Sequence, residues 1–206
     1  MITVEYLVTM TTHVPDGTPD QEVADVRARE AAHSRELVAQ GHLLRLWRPP
    51  LRPGEWRTLG LFAAADNGEL EKVLASMPLR IWRTDEVTPL APHPNDPVPH
   101  PAPVPPEFLT AFTLTIPAGT PDALVEDTNG REAERARELG RQGRLLRLWR
   151  LPPGGPDALG LWHASDQTEM ETILDSLPQS GWLTVQSTPL TGHPNDPALA
   201  ASSPGR

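Results

Sequence analysis

The chain contains no cysteine. That excludes disulfides, thiolate nucleophiles and cysteine-ligated metals, and it agrees with a reducing compartment. No apolar run approaches the ~20 residues needed to span a bilayer, and the start, MITVEYLVTMTT, has no basic segment ahead of a hydrophobic one. The expected location is therefore cytoplasmic. A basic surface is lacking as well: 18 Lys and Arg stand against 27 Asp and Glu, a net charge of −9. This argues against nucleic acid or an anionic membrane as partner, since both need a basic patch. There is no glycine-rich phosphate loop, nucleophile elbow or paired cysteine motif, so no cofactor is expected and covalent catalysis has no support. No histidine has a second one at ligand spacing, and no metal is expected.

What the chain has in quantity is repetition. GHLLRLWR at 41–48 returns as GRLLRLWR at 143–150, an offset of 102. Past the Trp-Arg pair the offset becomes 100, because PPLRPGEWR (49–57) is two residues longer than LPPGGPD (151–157), a difference that surface loops absorb easily. Residues 18–48 match 120–150 at 19 of 31 positions, and 58–97 match 158–197 at 20 of 40. The copies have diverged far enough for each remaining match to carry information. A period near 100 suits two complete small domains and is too long for a solenoid repeat.

Within copy 1, TVEYLVTMTT alternates with Val4, Tyr6, Val8 and Met10 on one side, the period of a half-buried strand. Thr18 as N-cap with Pro19 and Asp20 opens a long helix to about Gln40, which Gly41 ends. HLLRLWRPP then reads as a strand stopped by prolines, 57–65 as a third strand, 66–77 as a helix with Leu70, Val73 and Leu74 inward, and 81–90 as a last strand. The order β-α-β-β-α-β is the ferredoxin-like arrangement, an antiparallel sheet with both helices on one face. Copy 2 repeats it from about 107 to 190. The expected domains are repeat 1 (1–97), a proline-rich linker (98–106), repeat 2 (107–197) and a flexible tail (198–206). The proline-rich stretch 91–106 reads as a stiff extended connector. Each sheet leaves one face without helices, and an exposed apolar face must be covered. The expected fold is α+β, two ferredoxin-like βαββαβ repeats packed sheet-to-sheet as an intramolecular α+β barrel pseudo-dimer. The alternative is two independent beads on a proline string.

Several residues then stand out. Val23, Glu30 and Leu37 lie on one helical stripe, as do Val125, Glu132 and Leu139. A carboxylate amid apolar neighbours is costly to ionise, and such a site raises its pKa, which suits a proton carrier. The other reading is a glutamate bonded to an arginine that ties helix to sheet. On the strand, Arg45 and Trp47 share a face with Leu43, while Leu44, Leu46 and Arg48 share the other. Arg147, Trp149 and Arg150 repeat the pattern. Arginine beside an aromatic can hold a small carboxylate or stabilise an enolate, with a core tryptophan and a snorkelling or ion-paired arginine as the plainer reading. His93 and His193 sit in HPNDP, where the local residues make a turn and a structural role is favoured over a catalytic one. His33, opposite Arg135, and His163, opposite Ala63, are substrate-binding candidates peculiar to one copy each.

The glutamate on the first helix, G-x-x-x-x-L-W-R, the Pro after the second helix and a late His-Pro pair together resemble the muconolactone isomerase family. In copy 1 these are Glu30, Gly41 with Leu46-Trp47-Arg48, Met77-Pro78 and His93-Pro94. In copy 2 they are Glu132, Gly143 with Leu148-Trp149-Arg150, Leu177-Pro178 and His193-Pro194. The family's lysine after the glutamate is replaced by Ala31 and Ala133, and its members are usually single-copy chains that assemble into oligomers. The resemblance implies a cofactor-independent isomerase or cyclase of a small unsaturated lactone or related enolisable metabolite, acting by a 1,3-proton shift. Glu30 or Glu132 is then the base, and Arg45 or Arg147 holds the charge that develops on oxygen. His33, Trp47, Arg48, Trp149, Arg150 and His163 would bind substrate. A non-catalytic binding or assembly module on the same fold is the alternative, and a homo-oligomer of the pseudo-dimeric chain stays open.

Overall fold

A computed structural model describes residues 3–201. Its elements are β1 (Val4–Thr12), α1 (Asp20–Ala39), β2 (Leu43–Arg48), β3 (Arg57–Ala64), α2 (Asn67–Ser76), β4 (Arg83–Pro92), β5 (Glu107–Leu114), α3 (Asp122–Arg141), β6 (Leu145–Arg150), β7 (Ala158–His163), α4 (Gln167–Asp175), β8 (Leu183–Gly192) and α5 (Pro197–Ala201). Each repeat is thus a βαββαβ unit, and the fold is α+β with eight antiparallel strands. Residues 98–106 contain no helix or strand. Of the expected tail, the first residues form α5 and 202–206 lie outside the described residues.

Two compact units emerge, and neither coincides with one repeat. Among the described residues, unit 1 comprises 3–90 with 192–201, and unit 2 comprises 91–191. The terminal HPNDP of each repeat therefore belongs to the unit built from the other repeat. In unit 1, β1 is central, pairing with β3 (Tyr6 opposite Phe62) and β4 (Val8 opposite Val87), and β3 pairs in turn with β2. In unit 2, β5 pairs with β7 and β8, and β7 with β6. Ala91 and Pro92, the end of β4, pair with Arg150 and Trp149 inside unit 2.

Alternation in β1 buries Tyr6, Val8 and Met10 against the helices, where Leu37, Phe62, Leu70 and Leu74 complete the core of unit 1. The core of unit 2 is built around Phe112, Leu139, Leu145, Trp162 and Met170, with the Phe112 and Trp162 rings edge to face at 6.2 Å. Helix ends follow local chemistry. Gly41 at φ +78° ends α1 in a Schellman motif, donating from its N–H to Val38 O (3.0 Å) while His42 N–H reaches Leu37 O (2.9 Å). Gly143, Arg144 and their partners Gly140 and Leu139 repeat it after α3. Asp66 and Asp166 cap α2 and α4 by accepting from the N–H of Glu69 and Glu169.

Three expectations change in detail. Pro19, not Thr18, holds the N-cap of α1, and the Thr18 hydroxyl donates to Pro15 O at 2.7 Å. Ile81 and Trp82 belong to a 3₁₀ turn (Pro78–Trp82), so β4 starts at Arg83. Leu43 does not share a face with Arg45 and Trp47: a register shift between Leu43 and Arg45 places Leu43 and Leu46 together in the core. A bulge inserts one extra residue and resets the alternation. The same shift between Leu145 and Arg147 puts Leu145 and Leu148 in the second core.

Candidate functional site

Each unit holds a cavity between its first helix and its sheet, with the glutamate on the wall. In unit 1 the buried residues of α1 are Val26, Glu30, Ser34 and Leu37, spaced three or four apart along one face. Glu30 is 7% exposed. Its Oε2 accepts from the Leu79 N–H at 2.8 Å, and Oε1 lies 3.3 Å from Arg83 Nη1. Arg83, itself buried, donates from Nε to Asp85 Oδ1 (2.6 Å) and from Nη2 to Asp85 Oδ2 (3.0 Å). Arg80 also bonds Asp85 and reaches Glu71 at 2.8 Å. Burial holds the Glu30 carboxyl above the usual carboxylate range, while the Leu79 N–H and Arg83 oppose it. The cavity, about 280 Å³, is also lined by Arg27, Arg48, Trp56 and His193.

In unit 2, Glu132 Oε2 accepts from the Gln179 N–H at 2.9 Å. The positions of Arg83 and Asp85 are taken by Leu183 and Val185, so the buried ion-pair network has no counterpart. Burial again raises the carboxyl, opposed by the Gln179 N–H and by Arg135. The cavity is about 410 Å³ and includes Arg150, His93, Phe112, Trp162 and Leu183.

The HPNDP segments complete both cavities. In unit 1, Asp196 is 2% exposed. It takes Arg45 Nε (3.1 Å) and Nη2 (3.0 Å) together with the Leu46 N–H (3.2 Å). The His193 N–H donates to Leu46 O at 3.1 Å. The loop is therefore fastened to β2, and the imidazole of His193 faces the cavity. Its Nδ1 accepts from the Asn195 N–H at 3.1 Å, which places the proton of a neutral ring on Nε2. Burial and Arg48 lower its pKa to about 4. Unit 2 repeats this with Asp96 accepting from the Leu148 N–H (2.6 Å) and His93 accepting from the Asn95 N–H (3.1 Å). Burial and Arg150 lower the His93 pKa as well.

The structure brings together some of the expected residues and separates others. Glu30 with Arg48, and Glu132 with Arg150, share a cavity. Arg45 and Arg147 do not line either one: they lie over the Trp47 and Trp149 rings at 4.7 Å and pair with Asp196 and Asp96. Because the bulges fix Leu46 and Leu148 inward, these arginines and tryptophans point to the opposite sheet face, and Trp47 and Trp149 are buried there. His33 bonds Glu36 and Ser76, each at 2.8 Å, outside the cavity wall. His163 bonds Pro106 O at 3.1 Å and likewise lies off the wall.

The sequence matches the muconolactone delta-isomerase family over residues 4–96 and again over 107–196. The chain belongs to that family. Curated relatives include muconolactone delta-isomerase 1 of Acinetobacter lwoffii, 34% identical over 88 residues (43% of this chain, 88% of the relative). The muconolactone delta-isomerase of Cupriavidus pinatubonensis is 33% identical over 90 residues (44% and 95%). Among solved structures, a chlorite dismutase from Candidatus Nitrospira defluvii resembles 96% of this chain and 94% of its own at a TM-score of 0.62 with 10% identity. A haem-binding protein from Thermus thermophilus resembles 97% and 96% at 0.59 with 13% identity. Both likenesses concern fold alone. The first family match contains Glu30 and His93 and the second Glu132 and His193, but the unit boundaries pair Glu30 with His193 and Glu132 with His93. Sequence reasoning missed Arg83 and favoured a turn role for the two histidines over a catalytic one. The intact return of HPNDP amid divergent flanks was the available signal.

Proposed function

We propose that this member is a cofactor-independent isomerase of a small unsaturated lactone or related enolisable acid, with Glu30 and Glu132 as the proton carriers. The observation that carries the reading is a half- or fully buried glutamate in each cavity, tethered through one oxygen by a backbone N–H (Leu79 or Gln179). The tether fixes the carboxyl, and its other oxygen is the one to meet the substrate, in Glu30 while also facing Arg83 Nη1 at 3.3 Å. A carboxyl raised by burial is a stronger base once ionised, and general acid–base work is most efficient when the pKa nears the working pH. The base takes a proton from the saturated carbon next to the conjugated system. The electron pair moves onto the carbonyl oxygen, and the same carboxylic acid returns the proton at the far carbon. Arg48 or Arg150, lining the same cavity, holds the negative charge on that oxygen. The neutral Nε2–H of His193 or His93 supplies a further donor.

The haem named for the Thermus thermophilus neighbour does not fit this donor set. A histidine that ligates a metal through Nε2 donates its Nδ1 proton to a carbonyl or carboxylate. In His93 and His193 the Nδ1 atoms accept from the Asn95 and Asn195 N–H groups instead, so a neutral ring carries its proton on Nε2 and has no lone pair there for a metal.

The test is a deuterium-exchange and isomerisation assay on unsaturated γ-lactones with Glu30→Gln, Glu132→Gln and the double variant. General acid–base groups contribute about 10²–10⁴-fold, so the double variant should lose at least ~100-fold in turnover while ligand affinity changes little. Full exchange activity in the double variant refutes the reading. Ligand binding without turnover in the unmodified chain favours a binding module instead.

A further inference from the structure

We infer that the two cavities take different classes of acid: unit 1 a compact molecule with two anionic or strongly polar ends, unit 2 a molecule with one anionic head and an apolar body. The inference rests on the isomerase reading only in treating both glutamate-lined cavities as ligand sites. What they share is the head-group apparatus, one glutamate, one arginine after the tryptophan and one histidine. What they do not share is the rest of the wall.

In unit 1 a second guanidinium, Arg27, lines the same cavity as Arg48, and it stands 5.4 Å over the Trp56 ring. Both arginines bear electrostatically on His193. Two cations around one small cavity match two separated anionic groups, and Thr12 and Ser34 add hydroxyls to the wall. Arg83 is not available to a ligand, since Glu30 and Asp85 occupy it. In unit 2 the position of Arg27 is Asn129, whose Oδ1 is taken by Gln179 Nε2 at 2.7 Å. Thr12 and Ser34 are replaced by Leu114 and Ala136, and in place of the Trp56 loop the shorter loop brings Leu151, Pro152, Pro153 and Asp157 to the wall. The Asp157 carboxylate accepts from the Leu114 N–H at 2.8 Å and adds a negative charge that disfavours a second anionic group. A single arginine, Arg150, remains on a wall of Phe112, Leu114, Trp162 and Leu183, and the cavity is larger, about 410 Å³ against about 280 Å³. An apolar wall of that size rewards a ring or chain and cannot solvate a second carboxylate. The duplicated chain is therefore a two-specificity protein, in which a shared head-group site is combined with two different tail sites.

Amide NMR on the intact chain tests this, because the Leu79 and Gln179 N–H groups report on Glu30 and Glu132 separately. The probes are glutarate, a dianion, and cinnamate, a monoanion with an aromatic body. Glutarate should bind about tenfold or more tightly at the Leu79 reporter than at Gln179, and cinnamate should show the reverse order. Arg27→Asn, an exposed substitution that installs the residue of unit 2, should remove the glutarate preference and leave cinnamate at Gln179 unchanged. Equal affinities at the two reporters, reversed preferences, or no response at either reporter overturns the inference. If the reporters separate the probes but no glutamate-dependent proton exchange is found, the isomerase reading falls and the two sites stand. If exchange depends on the glutamates while the reporters do not discriminate, only the inference falls.

Discussion

Replacing Arg83 by leucine tests whether the buried network of unit 1 holds its structure or merely decorates it. The Arg83 and Asp85 side chains are 1% and 2% exposed and that of Glu30 is 9%. The arginine joins the two carboxylates. Removing one partner of a buried ion pair costs about 3–5 kcal/mol, because the remaining charge has lost its compensation. Asp85 keeps Arg80, so the expected cost of Arg83→Leu is at the lower end, about 3 kcal/mol. Adding Asp85→Val removes the stranded charge and reproduces the Leu183 and Val185 of unit 2, while Arg80 retains Glu71 at 2.8 Å. The double variant should return to within about 1 kcal/mol of the parent, since buried pairs replaced by apolar residues of similar volume are often neutral. The sign of the pH dependence follows from Glu30. Its folded pKa is already raised, and losing Arg83 raises it further. A raised folded pKa contributes stability below the unfolded value and loses it as pH rises through the folded one. Parent and variant lose stability alike between the unfolded pKa and the folded pKa of Glu30 in the parent, so the deficit of Arg83→Leu should grow as pH rises above that already raised folded value. Hydrogen exchange of unit 1 core amides, with unit 2 amides as the internal control, measures it. A single-variant cost below about 1 kcal/mol, or a double variant no more stable than the single one, refutes the argument.

Two further outcomes can be measured alongside. Gly143→Ala should cost about 1 kcal/mol by urea denaturation, because φ is +69° and an added Cβ meets nothing within 4 Å, so the penalty is purely conformational; an unchanged midpoint contradicts it. His193, with its pKa lowered from 6.5 to about 4, favours the folded state when neutral. It should contribute stability above about pH 6.5 that is lost as pH falls towards about 4. The full gap corresponds to roughly 3 kcal/mol, discounted to about 2 for partial solvent screening. His193→Gln should flatten that part of the stability profile in unit 1, and an unaltered profile refutes the linkage.

Much of the fold was legible because it rests on local rules that repeat. The alternation of β1, the glycine that ends each first helix and the inward Leu70, Val73 and Leu74 all stand where periodicity and capping put them. The failures were also local. A bulge at Leu43–Arg45 is invisible to a strict period of two, so the faces of β2 were read with Leu43 on the wrong side. Arg83 was missed because nothing in the sequence around it distinguishes a buried arginine from an exposed one; its carboxylate partners sit 53 residues away and two residues away.

The histidines show a deeper limit. HPNDP is the terminal motif of each repeat, and sequence order assigns His93 to the glutamate of its own copy. The units are cut instead at 90/91 and 191/192, which gives His193 to Glu30 and His93 to Glu132. No periodicity within one repeat can reveal such an exchange, because both assignments preserve every local pattern. The decisive information lies in Asp196 and Asp96, the third residues after the histidines. Their carboxylates seek out the backbone of β2 and β6 at Leu46 and Leu148. Sequence separations of 150 and 52 residues are bridged by the same bond. Each glutamate thus shares a cavity with a histidine from the repeat it does not belong to, and substituting one histidine should perturb ligand binding in the cavity of the other repeat's glutamate alone.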